Sequence, residues 1–102
     1  MKDAFMCGVD RFGWVTCGPE YKISADNGGT IDVTLTRVPK STHVKAIHCN
    51  GDGDIGHSRG WGHGEEGQKA SVAVGVDQGA CFKLVFSGDG PWEYNVEGFV
   101  EY

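Results

Sequence analysis

The chain has 102 residues, nine Lys and Arg against fourteen Asp and Glu, and a formal net charge of −5. That length allows one domain, residues 1–102, with a modest core. Nucleic acid and anionic membranes are excluded as expected partners, because both need clustered cations and the nine here are scattered from Lys2 to Lys83.

Seventeen glycines resist long helices, each interior one costing about 1 kcal/mol relative to alanine. Three Trp, three Tyr and five Phe supply the material for a core, so disorder is not expected. No apolar run approaches the roughly 20 residues of a membrane-spanning helix.

From the first residue onward, Met1 to Phe5 lacks the apolar region of a signal peptide, and Met1 is expected to be an expression start on a processed chain. Cys7, Cys17, Cys49 and Cys81 contain no Cys-x-x-Cys pair, which disfavours a zinc knuckle or thioredoxin-type site. Two disulfides in an oxidising, extracellular compartment are expected, the alternative being four buried thiols. Connectivity is not fixed by the spacing. The preferred pairing is Cys7–Cys17, closing a short hairpin around Gly13, with Cys49–Cys81 tying two strands.

Short β-type runs at 12–17 and 20–24 are separated by Gly18-Pro19. Asp26-Asn27-Gly28-Gly29 reads as a turn, followed by the clearest strand, Thr30 to Val38, where Ile31, Val33 and Leu35 alternate with polar residues. Pro39 ends it. His43 to Cys49 reads as another strand, a short helix being the alternative. Residues 50–67 hold seven glycines and little apolar material, and read as a long loop. Strands follow at 69–76, at 80–86 with Phe82, Leu84 and Phe86 on one face, and at 92–102 with a bulge at Gly98. About seven short strands without alternating helices predict an all-β antiparallel sandwich of jelly-roll type.

The stretch from Tyr21 to Leu35, with its Gly28-Gly29 turn leading into an alternating strand, resembles the opening of bacterial pre-peptidase C-terminal domains. Residues 79–90 with Trp92 to Val96 are similar to that family's final hairpin. The resemblance implies a secreted jelly-roll sandwich of the kind appended to proteases and glycosidases, aiding binding or solubility. Where the family carries an Asp-Leu-Tyr type segment, this chain reads Val44 to Cys49, and no ligand residue is transferred.

Several clusters could carry chemistry. Asn50, Asp52 and Asp54 present oxygen atoms at alternate positions with Gly53 between them, as a Ca²⁺ loop requires. His48 and Arg59 stand where that loop needs carboxylates, and a polar turn is the competing reading. His57 and His63, with His43 and His48, could meet Zn²⁺ or Cu²⁺, although His-x5-His in a glycine-rich loop is not a specific motif. Glu65 and Glu66 form no recognisable glycosidase pair, His57-Ser58 no recognisable triad, and no nucleophile or phosphate-loop motif occurs. A catalyst is not expected.

Trp61, between Gly60 and Gly62, is either a plug over the sheet or an exposed platform. As a platform it would bind a flat ligand, with Arg59, His63 and Glu65 hydrogen-bonding at the rim. Trp14 and Trp92 read as strand residues facing the core. The resulting expectation is a monomeric, secreted, non-catalytic module that binds polysaccharide or an extracellular protein through the 50–67 loop. A free-standing effector, an enzyme inhibitor or antimicrobial toxin, is the alternative.

Overall fold

The computed structural model describes residues 1–102 apart from Arg11 and Asp52. Among the described residues there are eight strands and no helix: β1 (Lys2–Val9), β2 (Val15–Lys22), β3 (Ile31–Arg37), β4 (Thr42–His48), β5 (Asp54–Trp61), β6 (Lys69–Ala73), β7 (Cys81–Gly88) and β8 (Tyr94–Glu101). They form two antiparallel sheets, one ordered β1-β8-β3-β6 and the other β2-β7-β4-β5. Only the β4–β5 hairpin joins neighbours within a sheet. Every other connection crosses the sandwich, which gives the jelly-roll arrangement.

Alternation along the strands explains the pairing of the two faces. Ile31, Val33 and Leu35 of β3, Val96 and Val100 of β8, and Phe82, Leu84 and Phe86 of β7 are all fully buried between the sheets. Phe5 meets Phe86 edge-on, with ring centroids 5.0 Å apart. At the opposite end of the core, Tyr21 stacks on Phe82 at 5.2 Å and lies 5.1 Å from the ring of Tyr102. Burying each such side chain is worth about 1.5–3 kcal/mol, which makes this layer the main source of stability.

Both disulfides form with the preferred pairing, Cys7–Cys17 and Cys49–Cys81, at Cα separations of 5.7 and 5.5 Å. The first closes no hairpin, however. Cys7 lies in β1 and Cys17 in β2, strands of different sheets, so this bond ties the two layers together. The second extends the β4–β7 ladder by one pair beyond His48 and Phe82.

Four local features differ from the expectations, the first of them a strand for which none was stated. β1 pairs with β8 along its whole length, although Ala4, Met6 and Gly8 give it a weak strand signature. The runs on either side of Gly18-Pro19 are one strand, β2, whose register shifts between Cys17 and Tyr21. As a sheet edge, β2 tolerates a proline that cannot donate to the ladder. The irregularity near Gly98 lies on the partner: Leu35 pairs with Gly98 and Arg37 with Glu97, leaving Thr36 as the extra residue on β3. A Cβ on Gly98 would come within 2.1 Å of the Thr34 carbonyl oxygen, so glycine there permits the close approach of β8 to β3.

The fourth difference matters most for function. The 50–67 segment is not one long loop, because β5 occupies 54–61 and pairs with β4. Only Ile55 and Trp61 of β5 are buried. Ile55 pairs with Ala46 and Arg59 with Val44, so Gly56, His57 and Ser58 stand opposite the single residue Lys45. Those two extra residues break the alternation that would have marked a strand.

Candidate functional site

Because successive strands run in opposite directions, the connections 10–14, 38–41, 62–68 and 89–93 all leave the sandwich at one end. Three of them are bound together by hydrogen bonds. The Gly88 amide donates to the Asp10 carbonyl at 2.7 Å, linking 10–14 to the end of β7. The Tyr94 hydroxyl donates to the Ser41 carbonyl at 2.5 Å and accepts from the Asp89 amide at 2.9 Å, joining 38–41 to 89–93. The Phe12 amide donates to the Asp10 side chain at 2.8 Å, an Asx turn that orders the start of the first connection.

This end carries the exposed aromatic residues. Phe12 is 74% exposed and Trp92 73%. Trp14 is 43% exposed, with the Lys45 ammonium 4.3 Å from its ring centroid, a cation–π contact on the outer face of the second sheet. The expectation that Trp14 and Trp92 face the core is therefore corrected: Trp14 precedes β2, and Trp92 sits in the 89–93 connection before β8 begins. Neither takes part in a strand's alternation, so neither is directed inward.

At the same end of the sandwich, on the 38–41 and 62–68 side, lies a hollow of about 250 Å³ lined by Ser41, His43, Gly60, Trp61, Gly62 and Glu65. His43 alternates with the buried Thr42 and Val44 and so stands on the outer face of β4. Its imidazole packs over Gly60, 3.1 Å from where a Cβ would be. One oxygen of Glu65 accepts from the Gly62 amide at 2.8 Å, which fixes the turn after β5. The hollow thus offers a hydroxyl, an imidazole and a carboxylate at the end of the sandwich that also carries the exposed rings.

The residues expected to form the binding loop separate in space. Trp61 is a plug and not a platform. It is 3% exposed, pairs with Thr42, and donates its indole N–H to the Gln68 carbonyl at 2.9 Å. Tethering of the 62–68 turn onto the ring removes the face that a ligand would need. Arg59 leaves that rim altogether, its Nε donating to the Ser71 carbonyl at 2.9 Å on β6. His63 lies 3.4 Å from the Val38 carbonyl and 3.9 Å from Glu66. Of the four, Trp61 and Glu65 line the hollow, Trp61 from beneath.

The Ca²⁺ candidates lie around the β4–β5 turn. Asp52 lies outside the described residues. Asn50 is in the β4–β5 turn, and Asp54 begins β5, where its carboxylate sits 3.2 Å from the Lys45 ammonium. Among the described residues, the only cluster of three metal-ligating side chains is Glu20 with Cys49 and Cys81. Both sulfurs are consumed by the disulfide, so they are not thiolate ligands.

One titratable pair stands apart at the far end of the core. The Tyr102 hydroxyl donates to the Asp3 carboxylate, and its pKa is pushed up to about 12 by burial, then by that bond and the Asp3 charge. The Tyr21 hydroxyl is raised by the same burial and by Asp3. Both phenols are thereby held neutral at the edge of the core.

The comparisons with known proteins are negative: no family model, no curated protein and no solved structure matches this chain.

Proposed function

We propose that the protein is a secreted, non-catalytic binding module that recognises polysaccharide through its aromatic loop end. The observation that carries this reading is the exposure of Phe12, Trp14 and Trp92 on one end, on connections that hydrogen bonds hold in place. The chain buries Phe5, Tyr21, Trp61, Phe82, Phe86 and Tyr102, so it does not lack the means to cover aromatic surface. Exposed rings in contiguous loops mark an interaction site. The rings stack on sugar faces, and Ser41, His43 and Glu65 in the hollow at the same end supply hydrogen bonds to hydroxyl groups. Two disulfides in so small a domain are consistent with the extracellular setting this implies.

Pull-down on insoluble polysaccharides tests the proposal. Retention of the native protein, lost in Trp92→Ala while the melting temperature is kept, supports it. Trp92 is surface, so the change should alter stability by no more than about 0.5 kcal/mol. An anchor of this kind should cost about 2 kcal/mol or more of binding. Failure on every polysaccharide, together with activity in a growth-inhibition or protease-inhibition assay, would transfer the reading to a free-standing effector.

A further inference from the structure

A second hollow, of about 260 Å³, lies between the edge strands β5 and β6, where the two sheets meet along one side. Gly56, His57, Arg59, Ser71, Val72, Ala73 and Val74 line it, and it shares no residue with the hollow of Ser41, His43 and Glu65. Its construction follows from the two-residue bulge in β5. Gly56, at φ +73°, touches β6 so closely that a Cβ would fall 2.1 Å from the Val72 carbonyl oxygen. The seam is closed there and open beyond it.

Arg59 pairs with Val44, whose side chain is fully buried, so Arg59 projects from the core side of its sheet and reaches β6. Its Nε donates to the Ser71 carbonyl at 2.9 Å. An inward charge on an edge strand protects that edge, and this single bond is enough for the purpose. It uses one of five guanidinium donors. No carboxylate among the described residues pairs with Arg59. Opposite it the wall is apolar: Val72 and Ala73 are buried, and Val74 is 71% exposed at the rim with no role in the core.

We infer that this seam binds a small free carboxylate with an apolar body, the carboxylate on the Arg59 guanidinium and the body against Val72, Ala73 and Val74. Three features argue for that class. The terminal nitrogens of a guanidinium form a fork matched to a carboxylate. The hollow is smaller than the roughly 300–1,000 Å³ of a drug-sized site, which favours a short ligand. A bulge beside a cavity is a recurrent way of re-aiming side chains into a site. The carboxylate could belong to a short fatty acid or to the C-terminus of a peptide ending in an apolar residue, because both present the same group.

Amide shifts of the full chain, titrated with hexanoate and with N-acetylleucine, test the inference. Hexanol and N-acetylleucinamide serve as uncharged controls. Saturable shifts confined to 56–59 and 71–74, given by the acids and not by the controls, are expected. The tighter of the two acids identifies the source. Arg59→Gln should weaken binding about tenfold or more. Val74→Asp should do the same by placing a like charge at an exposed position that the fold does not need, and it decides the matter if Arg59→Gln fails to fold. Trp92→Ala should leave this binding intact, which separates it from polysaccharide recognition. Equal binding of hexanol, unchanged affinity in Val74→Asp, or no saturable shift at millimolar acid would overturn the inference.

Discussion

A tryptophan's neighbours in sequence say little about whether its ring is covered, and the three in this chain show why. Trp61 is bracketed by glycines in a polar stretch yet is 3% exposed, because Thr42 pairs with it and the 62–68 turn accepts its indole proton. Trp61→Ala should therefore cost about 3–5 kcal/mol in denaturant unfolding. Trp92→Ala should leave the unfolding midpoint nearly unchanged and weaken binding. Tyr102 supports a second prediction at this scale. Its folded pKa of about 12 lies above the ordinary value of 10, so the folded state holds its proton longer than the unfolded chain does. The stabilisation is fully present below pH 10 and is lost as pH rises toward 12. A melting-temperature series across that window should fall more steeply for the native protein than for Tyr102→Phe, whose ring cannot ionise. Parallel curves would show that burial and the Asp3 contact do not raise the Tyr102 pKa in the folded state.

At the scale of elements, β3 and β4 were legible in the sequence because each alternates and is buried on one face, and β7 because Phe82, Leu84 and Phe86 recur at every second position, although Val85 between them is buried as well. β5 was not. As an edge strand with two inserted residues it needs little apolar surface, so the period-two signal is lost while its backbone still pairs with β4. Gly56 is what lets that bulge sit against β6. Gly56→Ala combines an unfavourable left-handed φ with a backbone clash and should destabilise by at least about 2 kcal/mol. Ser58→Ala, an exposed neighbour in the same bulge, should stay within about 0.5 kcal/mol. Urea midpoints for the two variants check the contrast, and equal values would mean that the β5–β6 contact is slack.

For the whole molecule, the disulfides act on different dimensions. Cys49–Cys81 closes a separation of 32 residues along one sheet, and Cys7–Cys17 a separation of 10 between sheets. Chain entropy alone gives about 4 and about 3 kcal/mol respectively. Replacing the half-buried Cys49 and Cys81 together with alanine should cost about 4 kcal/mol in denaturant unfolding. Reduction of both bonds should lower the melting temperature further than that double change alone. Four thiols titrating in the native protein would remove the cross-links and, with them, the structural support for an oxidising compartment.

The sequence by itself determined the all-β class, the alternating core strands, the turn at 26–29 and the even set of cysteines, because each follows from residue type and local spacing. Only the tertiary structure decided which aromatics stay in water. Phe12, Trp14 and Trp92 lie outside the strands, where no periodicity assigns a face, and two connections, 10–14 and 89–93, place them at one end of the sandwich. It likewise separated Arg59 from Trp61, two residues apart in β5, by sending one to the β6 edge and the other into the core. Which side chains share a surface depends on how strands distant in sequence stack, and that is settled by burying the two inner faces against each other.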